Sequence, residues 1–105
     1  MVKFVKDLAE WNAVKEMSKT KLVVVDFTAS WCPPCKMIAP IFEKMAEDNE
    51  DCEFVKVDVD ENSDVASLCG ISAMPTFLLY KGGEKVAEMA GANEAKLMEL
   101  VKKHK

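Results

Sequence analysis

The chain has 105 residues, of which half are hydrophobic and 30% charged, and its formal net charge is −4 at neutral pH. That is the length of one domain, residues 1–105, with enough apolar material for a core and too much for a disordered tail. The acidic balance offers no basic patch for nucleic acid, and no apolar run approaches the roughly 20 residues of a membrane-spanning helix.

Taken in order, Val2 to Val5 reads as a short first strand. Met1 precedes it without an apolar leader, so a cytoplasmic protein is expected. In that compartment structural disulfides are rare, and a close cysteine pair is catalytic or metal-binding. Asp7-Leu8-Ala9-Glu10 has the form of a capping box, with Asp7 at N-cap and Glu10 at N3. It opens a helix to about Ser18 that is expected to bury Leu8, Trp11 and Val14. Thr20 and Lys21 begin a second strand, whose run Lys21-Leu22-Val23-Val24-Val25-Asp26-Phe27 is β-branched and apolar enough to be buried on both faces. Met37, Ile38, Ile41, Phe42 and Met45 then recur at helical spacing to about Asn49, with Pro40 inside that helix predicted to kink it. Phe54 to Asp58 is a third strand, and Ser63 to Cys69 a short helix stopped at Gly70. Thr76 to Tyr80 and Lys85 to Met89 are two strands joined across Gly82-Gly83 as a hairpin. Asn93 caps a last helix that buries Leu97, Leu100 and Val101 and ends in Lys102, Lys103 and Lys105. The order βαβαβαββα predicts an α/β fold, a mixed sheet between helices.

Between the second strand and the helix after it lies Ala29-Ser30-Trp31-Cys32-Pro33-Pro34-Cys35-Lys36. The first amides of a helix have no intrahelical acceptors and the helix dipole adds partial positive charge there, so the thiolate of Cys32 is favoured. Two intervening residues let the sulfurs close into a small disulfide ring, and a thiolate beside a resolving thiol is what disulfide exchange requires. A zinc site is the rival reading, with Cys52 and Cys69 as further ligands. Zinc ribbons, however, bring a second Cys-x-x-Cys pair, and these two cysteines stand alone, so no metal is expected.

Asp26 is the anomaly of the second strand. Burial disfavours a carboxylate, so its carboxyl is expected to titrate above the ordinary range. It is either a strand-end aspartate that reaches solvent or a group that takes a proton during the chemistry. Pro33 sets two rules against each other. Proline suits the first turn of a helix, yet a residue before proline is pushed away from helical angles. The simplest outcome is an extended Pro33 and a helix that starts at Pro34. His104 is expected to be solvated.

Trp-Cys-x-Pro-Cys-Lys after an apolar strand ending in Asp-Phe resembles the thioredoxin family. Val57-Asp58-Val59-Asp60, Ala73-Met74-Pro75-Thr76-Phe77 and Gly91-Ala92-Asn93 agree in order and spacing, over essentially the whole chain. The likeness is to the animal-type cytosolic members. It implies a thioredoxin fold, a five-stranded mixed sheet of order 1-3-2-4-5 flanked by four helices, and a monomer. It also implies a protein-disulfide reductase with no bound cofactor, fed by NADPH through a thioredoxin reductase and acting on disulfide-containing target proteins. Cys32 would attack the target and Cys35 would resolve the mixed disulfide. Asp26 would relay the Cys35 proton, with Lys56 near it on the neighbouring strand. Pro75 would follow a cis bond that leaves the Met74 backbone free for an extended substrate, and Trp31, Met74, Gly91 and Ala92 would form an apolar rim around Cys32.

One departure stands out. Pro33 takes the place of the family's glycine, and Cys-Pro-Pro-Cys resembles the motif of tryparedoxins. A relay fed by a small dithiol is therefore the second enzyme reading, and a redox-dependent binding module is the reading from another class.

Overall fold

The computed structural model describes residues 2–105; Met1, where the sequence reading begins, lies outside them. The chain runs β1 (Lys3–Phe4), α1 (Leu8–Met17), β2 (Val23–Thr28), α2 (Pro33–Asp48), β3 (Glu53–Asp58), α3 (Ser63–Leu68), β4 (Thr76–Lys81), β5 (Glu84–Ala90) and α4 (Glu94–His104). The strands form one five-stranded sheet of order β1-β3-β2-β4-β5. β1, β3 and β2 are parallel, β4 runs antiparallel to β2, and β5 antiparallel to β4, so β4 alone runs against the rest.

Local chemistry explains the element ends. Asp7 caps α1 through its Oδ1, which accepts the Glu10 N–H at 2.9 Å. The return arm from Glu10 reaches the Lys6 N–H, at 2.9 Å, one residue earlier than a capping box would place it. After α1, the Lys19 and Thr20 amides turn back to the carbonyls of Glu16 and Met17. That turn delays β2 until Val23, past the Thr20 and Lys21 start read from sequence. β1 is shorter than Val2–Val5 because the Val2 N–H leaves the sheet for the Glu43 carboxylate. Asn93 caps α4 by accepting the Lys96 N–H at 3.0 Å. The hairpin turn at Gly82 and Gly83 has positive φ at both positions, which glycine adopts without a Cβ penalty.

Alternation along the sheet sorts the core into two layers. Val24, Phe54, Phe77 and Leu79 pack against Ile38, Phe42 and Met45 of α2 and Leu97 and Val101 of α4. Val23, Val25, Phe27 and Val57 pack against Trp11 and Val14 of α1 and Val65 of α3 on the other face. Three positions differ from the sequence reading. Leu8 stays 42% exposed because the packed stretch of α1 begins one turn later, at Trp11. Leu100 is only partly buried beside the α2/α4 layer. His104 is half-buried rather than solvated. No helix among the described residues is long and apolar enough to cross a membrane.

Candidate active site

β2 ends at Thr28, and the chain turns through Ala29 to Trp31 into α2. Cys32 is the N-cap of α2: its backbone is extended (φ −97°, ψ 110°), and its Sγ accepts the Cys35 N–H at 3.2 Å. Cys32 and Cys35 form a disulfide, with Cα atoms 5.2 Å apart. α2 starts at Pro33, not at Pro34 as expected. Cys32, which precedes Pro33, is extended as the rule for a residue before proline asks, whereas Pro33 is helical although it precedes Pro34. Pro33 and Pro34 then fill the first turn, where the missing N–H groups have no helical acceptors to lose.

Burial does not rank the two cysteines, since Cys32 is 3% and Cys35 2% exposed. Their surroundings do. Cys32 Sγ lies 3.7 Å from the Met74 carbonyl oxygen, toward the loop before β4. Cys35 lines a cleft of about 250 Å³ on the other side of the helix start, together with Phe4, Thr28, Ala29, Lys56 and Asp58. The Cys32 sulfur thus lies against the Met74 loop, and Cys35 borders the cleft.

That loop is tied together by short bonds. The Met74–Pro75 peptide is cis. The Thr76 hydroxyl donates to the Ala73 carbonyl at 2.6 Å. The Gly91 N–H, in a residue with φ of 97°, donates to the Pro75 carbonyl at 2.9 Å. Met74 packs against Ala29, Cys32 and Cys35. Ala92 instead packs against the α2/α4 layer, so it contributes to the rim only from below. Trp31 stands 62% exposed with its indole N–H donating to Asp60 at 2.8 Å.

Asp26 sits in mid-sheet at 1% exposure, and its buried Oδ1 has no hydrogen-bond partner among the described residues. Burial pushes its carboxyl up to about 7, against a smaller opposing pull from the Lys56 ammonium. Lys56 is the register partner of Asp26 on β3. Cys52 packs in the α2/α4 layer and Cys69 against the α1/α3 layer, on opposite faces of the sheet. The four sulfurs therefore do not converge as a zinc site needs.

A thioredoxin family model matches residues 3–103. The chain belongs to the thioredoxin family. A thioredoxin of Ophiophagus hannah is 52% identical over 104 residues, 99% of each chain. Thioredoxin-1 of Schizosaccharomyces pombe is 51% identical over 102 residues, 97% of each. The X-ray structure of Fasciola hepatica thioredoxin matches with a TM-score of 0.96 and 41% identity, covering 99% of this chain and 100% of that one. With a thioredoxin fold and a disulfide-forming pair at the helix start, the chain is a thiol-disulfide oxidoreductase, a protein-disulfide reductase.

Three thioredoxin-site neighbours escaped the sequence reading. Asp60 holds the Trp31 indole, and Asp58 shapes the turn that presents it, its Oδ1 accepting the Asp60 and Glu61 amides at 2.9 and 3.2 Å. Glu43, on the third turn of α2, lies 3.7 Å from the Lys56 ammonium. The Asx-turn potential of Asp58 was legible in principle. A helix surface glutamate gives no such signal.

Proposed function

We propose that Cys32 is the nucleophile and Cys35 the resolving thiol of a cytoplasmic thioredoxin recharged by an NADPH-dependent thioredoxin reductase. The Cys32 thiolate attacks one sulfur of a target disulfide, forming a mixed disulfide and releasing the other target sulfur as a thiolate. Cys35 then loses its proton and attacks Cys32, re-forming the Cys32–Cys35 bond and freeing the second target sulfur. Two electrons pass to the target, so the chain needs no bound cofactor. An extended target segment lies along the Met74 backbone beside Pro75, and Trp31, Gly91 and Ala92 line its path.

The observation that carries this reading is the split between the two sulfurs. Cys32 faces the Met74 loop, and Cys35 faces the cleft it shares with Lys56. Asp26 takes the Cys35 proton. Its raised pKa makes it a neutral-pH base rather than a permanently charged group.

Reduction of insulin disulfides, fed in parallel by thioredoxin reductase with NADPH and by a small dithiol alone, tests it. Turnover with the reductase is the expected result. Turnover with the small dithiol but none with the reductase would transfer the protein to the tryparedoxin-like relays. Inertness in both assays would leave a binding module.

A further inference from the structure

The strand registers line up Phe4, Lys56, Asp26, Phe77 and Met89 in one row across the sheet, from β1 to β5. Residues paired in this way project to the same face, here the face that α2 covers. Asp26 holds the middle of the row, with Lys56 on its outer side. Between Asp26 and the carboxylate of Glu43 on α2, the Lys56 ammonium has two anionic partners to choose from. In the structure it stands with Glu43: Nζ is 3.7 Å from Glu43 Oε2 and 5.6 Å from the centre of the Phe4 ring. Glu43 is itself anchored, its Oε1 accepting the Val2 N–H at 2.9 Å. Meanwhile Asp26 Oδ1 has no hydrogen-bond partner among the described residues.

We infer that Glu43 is a positioning residue for disulfide exchange: with Phe4 it holds the Lys56 ammonium at the outer end of the row and so leaves the Asp26 carboxyl unpaired. This rests on Asp26 being the proton acceptor for Cys35. An ammonium that swung inward would stabilise the carboxylate and make it a weaker base near neutral pH. The charged and titratable groups around Asp26 are few. β3 supplies Lys56 and, further along, Asp58; α2 supplies Cys35, Lys36 and Glu43. β4 and β5 contribute Phe77 and Met89 to the row, and β1 contributes Phe4, none of them charged.

Removing Glu43 frees Lys56, but it also deletes a negative charge, and both effects lower the Asp26 midpoint. The test therefore compares Glu43→Gln in two backgrounds, the reduced parent protein and Lys56→Met. Carboxyl NMR titration of Asp26 is read beside the pH profile of mixed-disulfide resolution by Cys35. In the parent background the midpoint is expected to fall by about one pH unit, the low end of what a close opposite charge does to a carboxyl. The resolution profile should move down with it. In the Lys56→Met background only the lost Glu43 charge remains, so Glu43→Gln is expected to lower the midpoint by clearly less than in the parent background. Equal shifts in both backgrounds, or no shift in either, would overturn the inference. Asp26→Asn separates the two layers. Parent-like resolution by that variant would remove the proton-acceptor reading and with it the catalytic part of the inference, while the Asp26 midpoints would still decide whether Glu43 holds Lys56.

Discussion

At the scale of single residues, the buried carboxyl of Asp26 couples stability to pH. Burial pushes its carboxyl up to about 7 in the folded chain, against an ordinary value of 3.8. Below that lower value both folded and unfolded chains are protonated, and the group is neutral to stability. Between the two values the unfolded chain has lost a proton that the folded chain still holds, so stability falls as pH rises, by about 1.4 kcal/mol per pH unit. Above about 7 the loss is complete. Asp26→Ala should therefore be more stable than the parent at pH 8, with a gain that disappears toward pH 4, while resolution by Cys35 slows. Denaturant melts across that range check the first part; a gain independent of pH would contradict it. The cysteines divide differently. Cys32→Ser should abolish reduction, since the nucleophile is gone. Cys35→Ser should trap targets as mixed disulfides, visible on non-reducing gels, and equal trapping by both variants would contradict the assigned roles.

Among the elements, α2 decides the site. It begins with two prolines in a turn that has no use for their missing N–H groups, and it continues through Pro40 to Asp48. Because Cys32 is its N-cap, the helix presents the Cys35 amide directly to the first sulfur. Pro33 also removes conformational freedom from the unfolded chain. Pro33→Gly should return that freedom and destabilise the fold by roughly 0.4–1 kcal/mol while keeping the disulfide chemistry. Paired denaturant melts decide this. A variant as stable as the parent would mean that Pro33 is strained by the proline after it.

For the molecule as a whole, the sheet separates two apolar layers, and the site lies at the edge of one of them. Trp11 belongs to the other layer. It is 1% exposed and packs edge-on against Phe27 and Tyr80, with ring centres 5.9 and 5.6 Å away. Trp11→Ala should cost about 3–5 kcal/mol, because that layer cannot collapse around so large a loss. Trp31, exposed and held by one hydrogen bond, should cost far less on the same change. Thermal melts of the two variants separate the tryptophan that builds the fold from the one that stands exposed beside the cysteine pair.

The local rules were sufficient wherever the cause is local. The apolar β2 run, the caps at Asp7 and Asn93, the glycine hairpin and the position of Cys32 at a helix start all follow from residues within a few places of one another. Asp26 was legible too, because a charge inside an apolar strand is an anomaly in one dimension. Strand order 1-3-2-4-5 came only with the family likeness, since periodicity says which face is apolar and not which strand lies next to which. Pro33 was misplaced because two one-residue rules conflict there, and in the structure the preference of proline for the first helical turn prevails. Leu8 was misplaced because helical spacing cannot say where packing against the sheet begins. The pairing of Lys56 with Glu43 rather than Asp26 belongs wholly to tertiary structure. The three residues lie far apart in the chain, and only strand register and the course of α2 over the sheet bring both carboxyls around one ammonium.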